Sequence, residues 1–276
     1  MDSIKVMVNG LPGRMAGAVA RHILSDSRFA LIPFSFTGPE ISESETRIEN
    51  IAVRLVRPEN RDAALSKVKA VSTDFISVDY THPSAVNSNG NFYCAHQLPF
   101  VMGTTGGDRD RLEEAVRQSS TAAVIAPNMA KQIVGFQAMM AHAARLFPGL
   151  FEGYSLEIKE SHQKGKADTS GTAKAMVKYF NDLGIAFVEA DIHKEREPER
   201  QKTLWGIPEE FLTGHGWHTY TLTSADGTVR FEFSHNVNGR EVYARGSLDA
   251  IAYLHVKLRQ GARGKVFSMI DVLQKK

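Results

Sequence analysis

Short apolar runs alternate with segments of helical spacing along the first 127 residues of the chain. The apolar runs predict strands at 4–10, 30–36, 75–81, 99–105 and 122–127. The segments between them predict helices at 14–25, 83–97 and 108–120. Strands that recur between helices imply right-handed βαβ crossovers and a parallel sheet covered on both faces. This half of the chain is therefore predicted to be a doubly wound α/β domain.

The pattern changes in the second half of the chain. Apolar residues with helical spacing predict a long helix over 130–147, and a strand follows at 154–161. Two later runs, 218–224 and 228–237, predict antiparallel strands joined by a tight turn at 225–227. The second half is therefore predicted to be an α+β domain with a mainly antiparallel sheet.

Three segments indicate how the second half meets water and how the chain ends. In the run 228–237, Val229, Phe231 and Phe233 alternate with polar residues, which predicts one face in the core and one in solvent. The charge-dense segment 193–203 is interpreted as a solvated loop or helix end. The segment 247–258 is again helical, and we expect it to pack back on the first domain.

The fold class that follows is α/β, with a Rossmann-type doubly wound parallel sheet domain and a second, α+β domain. The first domain is predicted to span 1–127 and to be joined by a C-terminal helix, 246–276. The second domain is predicted to span 128–245. No internal repeat or low-complexity linker separates them.

Composition and charge narrow the class of partner. The chain is 42% hydrophobic and 23% charged, and its 33 Lys and Arg against 31 Asp and Glu give a net charge of +2. Because the basic residues are scattered, the sequence predicts neither a nucleic-acid nor a membrane partner, and a small-molecule ligand is favoured. We find no metal-ligand motif and expect no metal.

The single cysteine, Cys94, cannot form an internal disulfide. Its apolar neighbours favour a buried, inert thiol in a reducing compartment. The chain opens on a short strand and has no window of about eighteen apolar residues, so we expect a cytoplasmic protein.

A glycine-rich turn follows the first predicted strand. Gly10 and Gly13 lie between this strand and the first helix, where backbone N–H groups can approach a pyrophosphate. The spacing departs from G-x-G-x-x-G because Pro12 occupies the middle position, so an ordinary tight turn is the alternative. No acid stands at 35–38, where a site for NAD usually has one, and Arg14 can face a 2′-phosphate. NADPH is therefore favoured over NADH.

Two further segments stand at predicted strand ends. The stretches 103–107 (GTTGG) and 126–129 (APNM) lie where an open α/β sheet places its ligand crevice. Glycine and threonine are equally common in ordinary turns, so both interpretations stay open on the residues alone.

The stretch ESHQKGKADTSGTAKAM, at 160–176, carries the strongest chemical signal. His162 and Lys166 leave a strand just before a helix begins near Gly171, and a helix start suits an anion. A histidine has an ordinary pKa of about 6.5, which suits a proton donor. The pattern describes a carboxylate-binding corner with a titratable group, and a surface or core histidine is the alternative.

Five motifs resemble the 4-hydroxy-tetrahydrodipicolinate reductase (dihydrodipicolinate reductase) family. They are GLPGRM, GTTG, APNM, ESHQKGKADTSGTA and SHNVNGREVYARG. The resemblance covers nearly the whole chain, and it is most specific at the fourth motif. The residues there that meet the family pattern are Glu160, His162, Lys166, Asp168, Ser170, Gly171 and Thr172.

The resemblance implies hydride transfer from NADPH or NADH to a cyclic, unsaturated dicarboxylate in lysine and diaminopimelate biosynthesis. It implies that His162 is the proton donor and that Lys166 assists protonation or holds substrate. The implied substrate-binding residues are Lys166, Ser170, Gly171, Thr172 and Gln163. The implied cofactor-binding residues are Gly10, Leu11, Pro12, Gly13, Arg14, Met15, Gly103, Thr104, Thr105, Ala126, Pro127, Asn128 and Met129.

The match also has departures. Many bacterial members carry a second histidine, a substrate contact, where Gln163 stands, and this departure points to the plant-like branch. The resemblance implies a homo-oligomer, tetramer or dimer, formed by the second domain. It leaves three roles open for Arg240, namely substrate binding, a structural ion pair and a subunit contact. A trimmed plastid form of the protein is an alternative to the cytoplasmic one.

Two other functions remain open. One is a different Rossmann-type dehydrogenase of an amino-acid pathway, for which we find no separate catalytic motif. The other is a non-catalytic, nucleotide-sensing protein that kept the fold. The presence of both His162 and Lys166 argues against the second.

Overall fold

The computed structural model describes residues 3–166 and 168–275. They form two compact units, the first comprising residues up to Lys131 together with those from Glu241 onward, and the second comprising Gln132–Arg240. The predicted bounds at 1 and 276 lie outside the described residues.

The first unit contains a parallel sheet of six short strands. In chain order these are β1 (Ile4–Asn9), β2 (Phe29–Leu31), β6 (Ile76–Asp79), β7 (Phe100–Met102), β8 (Ala122–Ile125) and β13 (Lys265–Phe267). Their order across the sheet is β13-β8-β7-β6-β1-β2, and every neighbouring pair is parallel. The predicted doubly wound parallel sheet is confirmed.

Six α-helices belong to this unit. They are α1 (Arg14–Leu24), α2 (Arg61–Val71), α3 (Val86–Ala95), α4 (Arg109–Arg117), α8 (Glu241–Arg259) and α9 (Met269–Gln274). Single 3-10 turns precede α2 and α3, at Pro58–Asn60 and Pro83–Ala85. Met7, Phe100 and Met102 are fully buried between the layers, and Cys94 is half-buried against the same core. Burial raises the pKa of its thiol, as expected of an unreactive cysteine.

A separate three-stranded sheet occupies the region from 34 to 56, most of which had no predicted element. Its strands are β3 (Phe34–Phe36), β4 (Glu45–Ile48) and β5 (Ile51–Val56), in the order β3-β5-β4. The predicted strand 30–36 is in fact two strands, since the chain passes from the large sheet to this one at Ile32 and Pro33. The β4–β5 hairpin turns at Glu49, with φ of 52°, and Asn50 rather than at a glycine pair, so its sequence lacks the usual signal.

The prediction of one C-terminal helix over 246–276 is wrong. The helix α8 already begins at Glu241, and the chain leaves it after Arg259 through two glycines with positive φ, Gly261 and Gly264. β13 and α9 then complete the unit, so the last strand of the parallel sheet comes from the end of the chain.

The second unit is built on a four-stranded sheet. Its strands are β9 (Ser155–His162), β10 (His193–Glu195), β11 (His215–Thr223) and β12 (Arg230–Asn238), in the order β10-β9-β11-β12. Only the β9–β10 pair is parallel, which confirms a mainly antiparallel sheet. The α-helices are α5 (Lys131–Leu146), from its second residue on, α6 (Gly171–Asp182) and α7 (Pro198–Thr203), with 3-10 turns at Glu189–Asp191 and Glu209–Phe211. Ile158, Phe180 and Tyr220 are fully buried at the centre of this unit.

One prediction for this unit is wrong and another holds in part. Val229 and Phe231 are 40% and 42% exposed, because β12 is an edge strand whose apolar face enters the core only from Phe233 onward. The segment 193–203, predicted as a solvated loop or helix end, is mostly exposed and ends with α7, but it also contains β10, and its Gln201 is fully buried.

Among the described helices, none is long and apolar enough to cross a membrane.

Candidate functional site

The turn after β1 requires glycine at its first position. Gly10 has a φ of +103°, and an added Cβ would lie 2.1 Å from the backbone oxygen of Tyr80. Its N–H donates to the Phe36 carbonyl at 2.8 Å, so the turn is held against the end of β3. The close approach of these backbones explains why no side chain is tolerated here.

The start of α1 is open. Gly13 occupies the N-cap, where an added Cβ would lie 2.6 Å from the Gly10 oxygen, and no side chain of the described residues caps the helix. The first N–H groups of a helix lack partners within it and carry a partial positive charge. The residues present therefore fit a phosphate at this end of the helix.

The other residues of the turn divide between core and surface. Leu11 is fully buried, donates its N–H to the Ser35 hydroxyl and accepts from Thr37 through its carbonyl. Pro12, Gly13 and Arg14 are exposed, and Met15 is half-buried. Within the two described ranges, the Arg14 guanidinium makes no hydrogen bond or ion pair with another residue, so it is free to meet a ligand.

An acidic residue lies near the end of β3, although the sequence has none at 35–38. The exposed Glu40 carboxylate folds back, so that a Cβ added to Gly38 would lie 2.2 Å from both of its oxygens. Arg61 reaches the same region, with its guanidinium 5.4 Å from the centre of the Phe36 ring. Groups that suit a ribose hydroxyl and groups that suit a phosphate are therefore both present.

The loop after β7 is anchored by a buried carboxylate that sequence reasoning missed. Thr104 is buried, and its hydroxyl donates to Oδ1 of Asp79 at 2.6 Å. The other oxygen of Asp79 accepts from Tyr93 at 2.7 Å and from Asn89 at 2.9 Å. Burial raises the pKa of Tyr93 well above its ordinary value, so this phenol stays a donor. The network fixes the loop at the end of the sheet where Gly10 also lies.

The remaining residues of this loop divide between core and surface. Gly103 lies against the Tyr80 ring, since an added Cβ would be 2.4 Å from two of its carbons. The N–H groups of Gly103 and Thr104 donate to the Asp79 carbonyl at 3.0 and 3.1 Å, and the Thr104 carbonyl accepts from Arg109. Thr105 beyond them is exposed, so a ligand can reach it.

The stretch after β8 is packed more tightly than its sequence suggests. Ala126 and Met129 are buried, Asn128 accepts the Ala130 N–H on its side-chain oxygen, and only Pro127 is exposed. Gly246 of α8 allows this approach, because an added Cβ would lie 1.7 Å from the Met129 oxygen. The Ala126 and Met129 side chains therefore belong to the core, and any ligand contact there is with backbone.

His162 ends β9 in the second unit and has a fixed orientation. Its Nδ1 lies 3.0 Å from the backbone oxygen of His215, which can only accept, so Nδ1 carries a proton. Its Nε2 is buried and meets no hydrogen-bonding partner among the described residues. Burial lowers the pKa of His162 to about 4, with smaller lowering by the cations Arg196 and Lys166 and an opposing effect of the His215 carbonyl.

A glycine makes room for this ring. Gly216 pairs with His162 across β9 and β11, and an added Cβ would lie 2.9 Å from the His162 Cε1. In the sequence, this arrangement is marked only by the His-Gly pair at 215–216. The pair can be linked to His162 only once the register of β9 and β11 is known.

The loop from His162 to α6 brings cations and helix N–H groups together. Lys166 pairs with Asp168 at 2.8 Å, and the hydrogen bond from Lys166 lowers the pKa of that carboxyl. Ser170 caps α6 by accepting the Thr172 N–H at 3.2 Å, whereas the Asp168 carboxylate pairs with Lys166. No acidic residue lies in the first turn of the helix, and Gly171 is exposed. The helix start is therefore suited to an anionic ligand.

This loop is clamped by Arg196, which sequence reasoning missed. Arg196 donates to the fully buried carboxylate of Glu160 and to the backbone oxygen of Lys166 at 2.8 Å. Ser170 donates its N–H to the other oxygen of Glu160 at 3.0 Å. Gln201 donates to the His162 carbonyl at 2.7 Å. Glu160, Arg196 and Gln201 thus hold both ends of the loop in place.

Three further histidines surround His162, and none of them was predicted. His215 uses both ring nitrogens, with Nδ1 near the Phe211 carbonyl and Nε2 near the Ser161 hydroxyl. The rings of His218 and His162 have centroids 5.1 Å apart, and His235 lies 4.7 Å beyond His218. Burial lowers the pKa of all three, so these rings are neutral near pH 7.

Gln163 and Arg240, two further residues singled out from the sequence, also lie in the second unit. Gln163 is half-buried directly after His162. The Arg240 guanidinium lies against Gly214, where an added Cβ would be 3.0 Å from Nη1.

The first unit thus offers backbone groups for a dinucleotide, and the second offers an anion-binding corner with an oriented imidazole.

Comparison with known families covers both units. Residues 4–129 match the family described as dihydrodipicolinate reductase, N-terminus, and residues 133–273 match the one described as dihydrodipicolinate reductase, C-terminus.

Curated relatives agree over nearly the whole chain. A probable 4-hydroxy-tetrahydrodipicolinate reductase 2, chloroplastic, of Oryza sativa subsp. japonica is 46% identical over 272 residues, which cover 99% of this chain and 83% of the rice protein. The 4-hydroxy-tetrahydrodipicolinate reductase 1, chloroplastic, of Arabidopsis thaliana is 43% identical, with coverage of 99% and 78%. Among solved structures, a dipicolinate-bound dihydrodipicolinate reductase from Paenisporosarcina sp. TG-14 has a TM-score of 0.65 at 17% identity, covering 96% of this chain and 97% of its own. That structure shares the fold.

Proposed function

Because this chain belongs to the dihydrodipicolinate reductase family, we propose how its residues divide the work of the reaction. The protein is an oxidoreductase that reduces 4-hydroxy-tetrahydrodipicolinate in lysine biosynthesis. Its substrate is a small cyclic dicarboxylate. The proton donor, the carboxylate-binding groups and the cofactor contacts proposed below rest on the geometry of the two units.

The first unit holds a nicotinamide dinucleotide, which supplies the hydride when bound. The turn Gly10–Met15 binds its phosphates through backbone N–H groups at the start of α1, and the Gly10 approach to Tyr80 supports this role. Residues 103–105 and 126–129 contribute further contacts at the carboxyl ends of β7 and β8. The Asp79 network keeps the first of these loops in position.

NADPH is the favoured cofactor in this proposal. The exposed Arg14 guanidinium at the helix start suits a 2′-phosphate. Glu40 is the group that would favour NADH instead, since a carboxylate accepts hydrogen bonds from a ribose hydroxyl and repels a phosphate.

The second unit binds the two substrate carboxylates. Lys166 supplies a cation, and the α6 start supplies the Gly171 N–H, because the Thr172 N–H is held by the Ser170 hydroxyl. The Thr172 hydroxyl and Gln163 are further polar contacts. Ser170 acts through the cap that it forms. Lys166 exchanges its contact with Asp168, which is 76% exposed and readily hydrated, for a substrate carboxylate.

His162 delivers the proton from Nε2. The observation that carries this role is the imidazole itself, with Nδ1 tied to the His215 carbonyl and Nε2 buried without a partner in the part of the chain that the structure describes. In the free protein burial keeps the ring neutral. A bound dianion favours the imidazolium, because an opposite charge at short range raises the pKa of a histidine. Lys166 assists by holding that dianion beside the ring.

The test is an assay of nicotinamide absorbance with purified protein and freshly generated 4-hydroxy-tetrahydrodipicolinate, run separately with NADPH and NADH. We expect rapid oxidation, faster with NADPH. Oxidation with NADH alone would contradict the role of Arg14. No oxidation by a protein that still binds the dinucleotide would contradict the reaction and favour another dehydrogenase or a nucleotide sensor.

Assembly and location extend the proposal. Three large apolar side chains of this unit are partly exposed: Val229, just before the edge strand β12, Phe231 on that strand and Met139 on α5, at 40%, 42% and 64%. Such side chains at a sheet edge favour a homo-oligomer. Sedimentation that finds only a 30.5 kDa species would contradict this.

We propose a cytoplasmic location, with a trimmed plastid form as the alternative suggested by the chloroplastic relatives. Fractionation of the source cells distinguishes them.

A further inference from the structure

Three potential metal ligands share one face of the second unit's sheet. Glu160 and His162 are two residues apart on β9, so their side chains point to the same side. His218 of β11 pairs directly with Glu160 across the strands. One ligand atom from each of the three lies within 4.8 Å of the other two.

The two histidines have nitrogens available for a ligand. His218 is only 3% exposed, and neither of its ring nitrogens has a hydrogen-bond partner among residues 3–166 and 168–275. The Nε2 of His162 is equally without a partner in those ranges. Buried polar atoms are almost always paired, so unpartnered nitrogens on two neighbouring rings indicate a group that the protein alone does not supply.

The Glu160 carboxylate is divided between two tasks. Its Oε1 accepts from Arg196, whereas Oε2 accepts the Ser170 N–H at 3.0 Å and lies 3.8 Å from Nε2 of His218. A carboxylate oxygen has two lone pairs, so Oε2 can bind a cation without loss of the Ser170 contact. The Arg196 clamp and a metal are therefore compatible on one carboxylate.

We propose that Glu160, His162 and His218 form a binding site for a divalent transition metal of the Zn²⁺ type, and that its occupancy inhibits the enzyme. Two imidazoles and one carboxylate are a donor set that suits Zn²⁺ and leaves a position for water, whereas Mg²⁺ prefers oxygen ligands. Arg196 and Lys166 are cations near the site, and they repel a divalent metal ion. We therefore expect metal binding to be weak and reversible. The inhibition rests on the proposed role of His162, since a metal on Nε2 occupies the lone pair that would carry the proton.

Co²⁺ is the direct probe of the site. The full-length protein, freed of metal with a chelator, is titrated with Co²⁺, and the visible absorption of four- or five-coordinate Co²⁺ is followed, with Zn²⁺ as the competitor. We expect this absorption for the wild type. His218→Phe keeps the ring volume and removes a ligand, and it should weaken binding at least about 100-fold, more than the loss of an outer-shell partner.

His235→Phe is the matched control, because the His235 ring lies 4.7 Å from that of His218, tilted by 31°, but lies outside the ligand group. It should bind Co²⁺ like the wild type. The site is refuted if wild type gives only the weak spectrum of six-coordinate Co²⁺, or if His218→Phe binds as tightly as His235→Phe. Circular dichroism establishes that His218→Phe folds, and His162→Gln, which removes another ligand, decides the question if it does not.

Inhibition by Zn²⁺ is measured on the same samples. We expect the reductase activity of wild type and His235→Phe to fall with the Co²⁺-derived occupancy, and that of His218→Phe to resist. Binding through His218 without inhibition of an active enzyme would overturn the inhibitory role and with it His162 as proton donor. Binding by a protein that has no reductase activity would leave the site standing and refute the proposed function.

Discussion

The turn after β1 and the end of β9 are both candidate binding sites, but they are built from different groups. The first consists of backbone, held by Gly10 and Gly13 at positions where a Cβ would collide with a carbonyl oxygen. The second consists of side chains around His162, supported by the buried pair of Glu160 and Arg196. A backbone site depends on glycines, because the absence of a side chain lets backbone segments approach each other. A side-chain site depends on partners that are distant in sequence.

This difference has a consequence for mutation. A substitution in the first region should act on dinucleotide binding and leave the proton donor intact. A substitution in the second should act on turnover or on stability and leave dinucleotide binding intact. Each of the following changes tests one side of this division.

The largest effect on stability is expected from Arg196→Met. Glu160 is fully buried, and loss of its cation leaves a buried charge unpaired, so the free energy of unfolding should fall by about 3 kcal/mol in urea titrations. Lys202→Met is the matched control from the same segment. Its partner Glu209 is 75% exposed, so the free energy of unfolding should fall far less than in Arg196→Met. Equal losses of unfolding free energy in the two variants would show that the Arg196–Glu160 pair does not stabilise the fold.

Gly10→Ala should weaken dinucleotide binding at least about 100-fold, which corresponds to about 2.7 kcal/mol. The added Cβ would lie 2.1 Å from the Tyr80 oxygen at a φ of +103°, so the turn must move. Fluorescence titration with NADPH measures the change. In the control Gly17→Ala, the new Cβ meets only the Arg21 side chain at 3.5 Å, and affinity should hold. Wild-type affinity in Gly10→Ala would exclude a backbone-built site.

Gly216→Ala should lower kcat about 10-fold with little change in NADPH affinity, because the His162 ring must turn away from the His215 carbonyl. The Cβ would lie 2.9 Å from Cε1 and 3.3 Å from Nδ1 of that ring. Gly165→Ala serves as the control, since an added Cβ there meets no described residue within 4 Å. An unchanged kcat, or a parallel loss of NADPH affinity, would contradict the orientation argument.

The smallest effect is expected from Arg14→Gln. Loss of one exposed cation should weaken NADPH binding about fivefold, or about 1 kcal/mol, and leave NADH binding unchanged. Arg21→Gln, near the end of the same helix, should change neither affinity. If both affinities fall equally in Arg14→Gln, the side chain does not discriminate the 2′-phosphate.

The sequence predicts the two regions unequally. Strand 4–10, the glycine turn and the helix after it follow one another locally, so their pattern is readable without tertiary information. The pairing of Arg196 with Glu160 spans 36 residues and lies in a charge-dense segment that resembles solvated surface. Only the parallel pairing of β9 and β10 reveals that this segment is part of the site.

Register explains most of what else was missed. Gly216, His218 and Glu160 acquire meaning only when β9 and β11 are aligned, because the side chains then share a face. The β4–β5 hairpin was missed because it turns at Glu49 and Asn50, without a glycine. His162 and Lys166 could be proposed from a motif, but the support of the imidazole by the His215 carbonyl could not.

The division between the two regions is tested most directly by His162→Gln, with kcat and the NADPH dissociation constant measured on the same preparation. Glutamine keeps a polar side chain but cannot deliver a proton, so kcat should fall roughly 10²- to 10⁴-fold, the usual contribution of general acid catalysis. The dissociation constant should stay within about twofold, since the dinucleotide is held by the first unit. A retained kcat, or an equal loss of NADPH binding, would contradict the account.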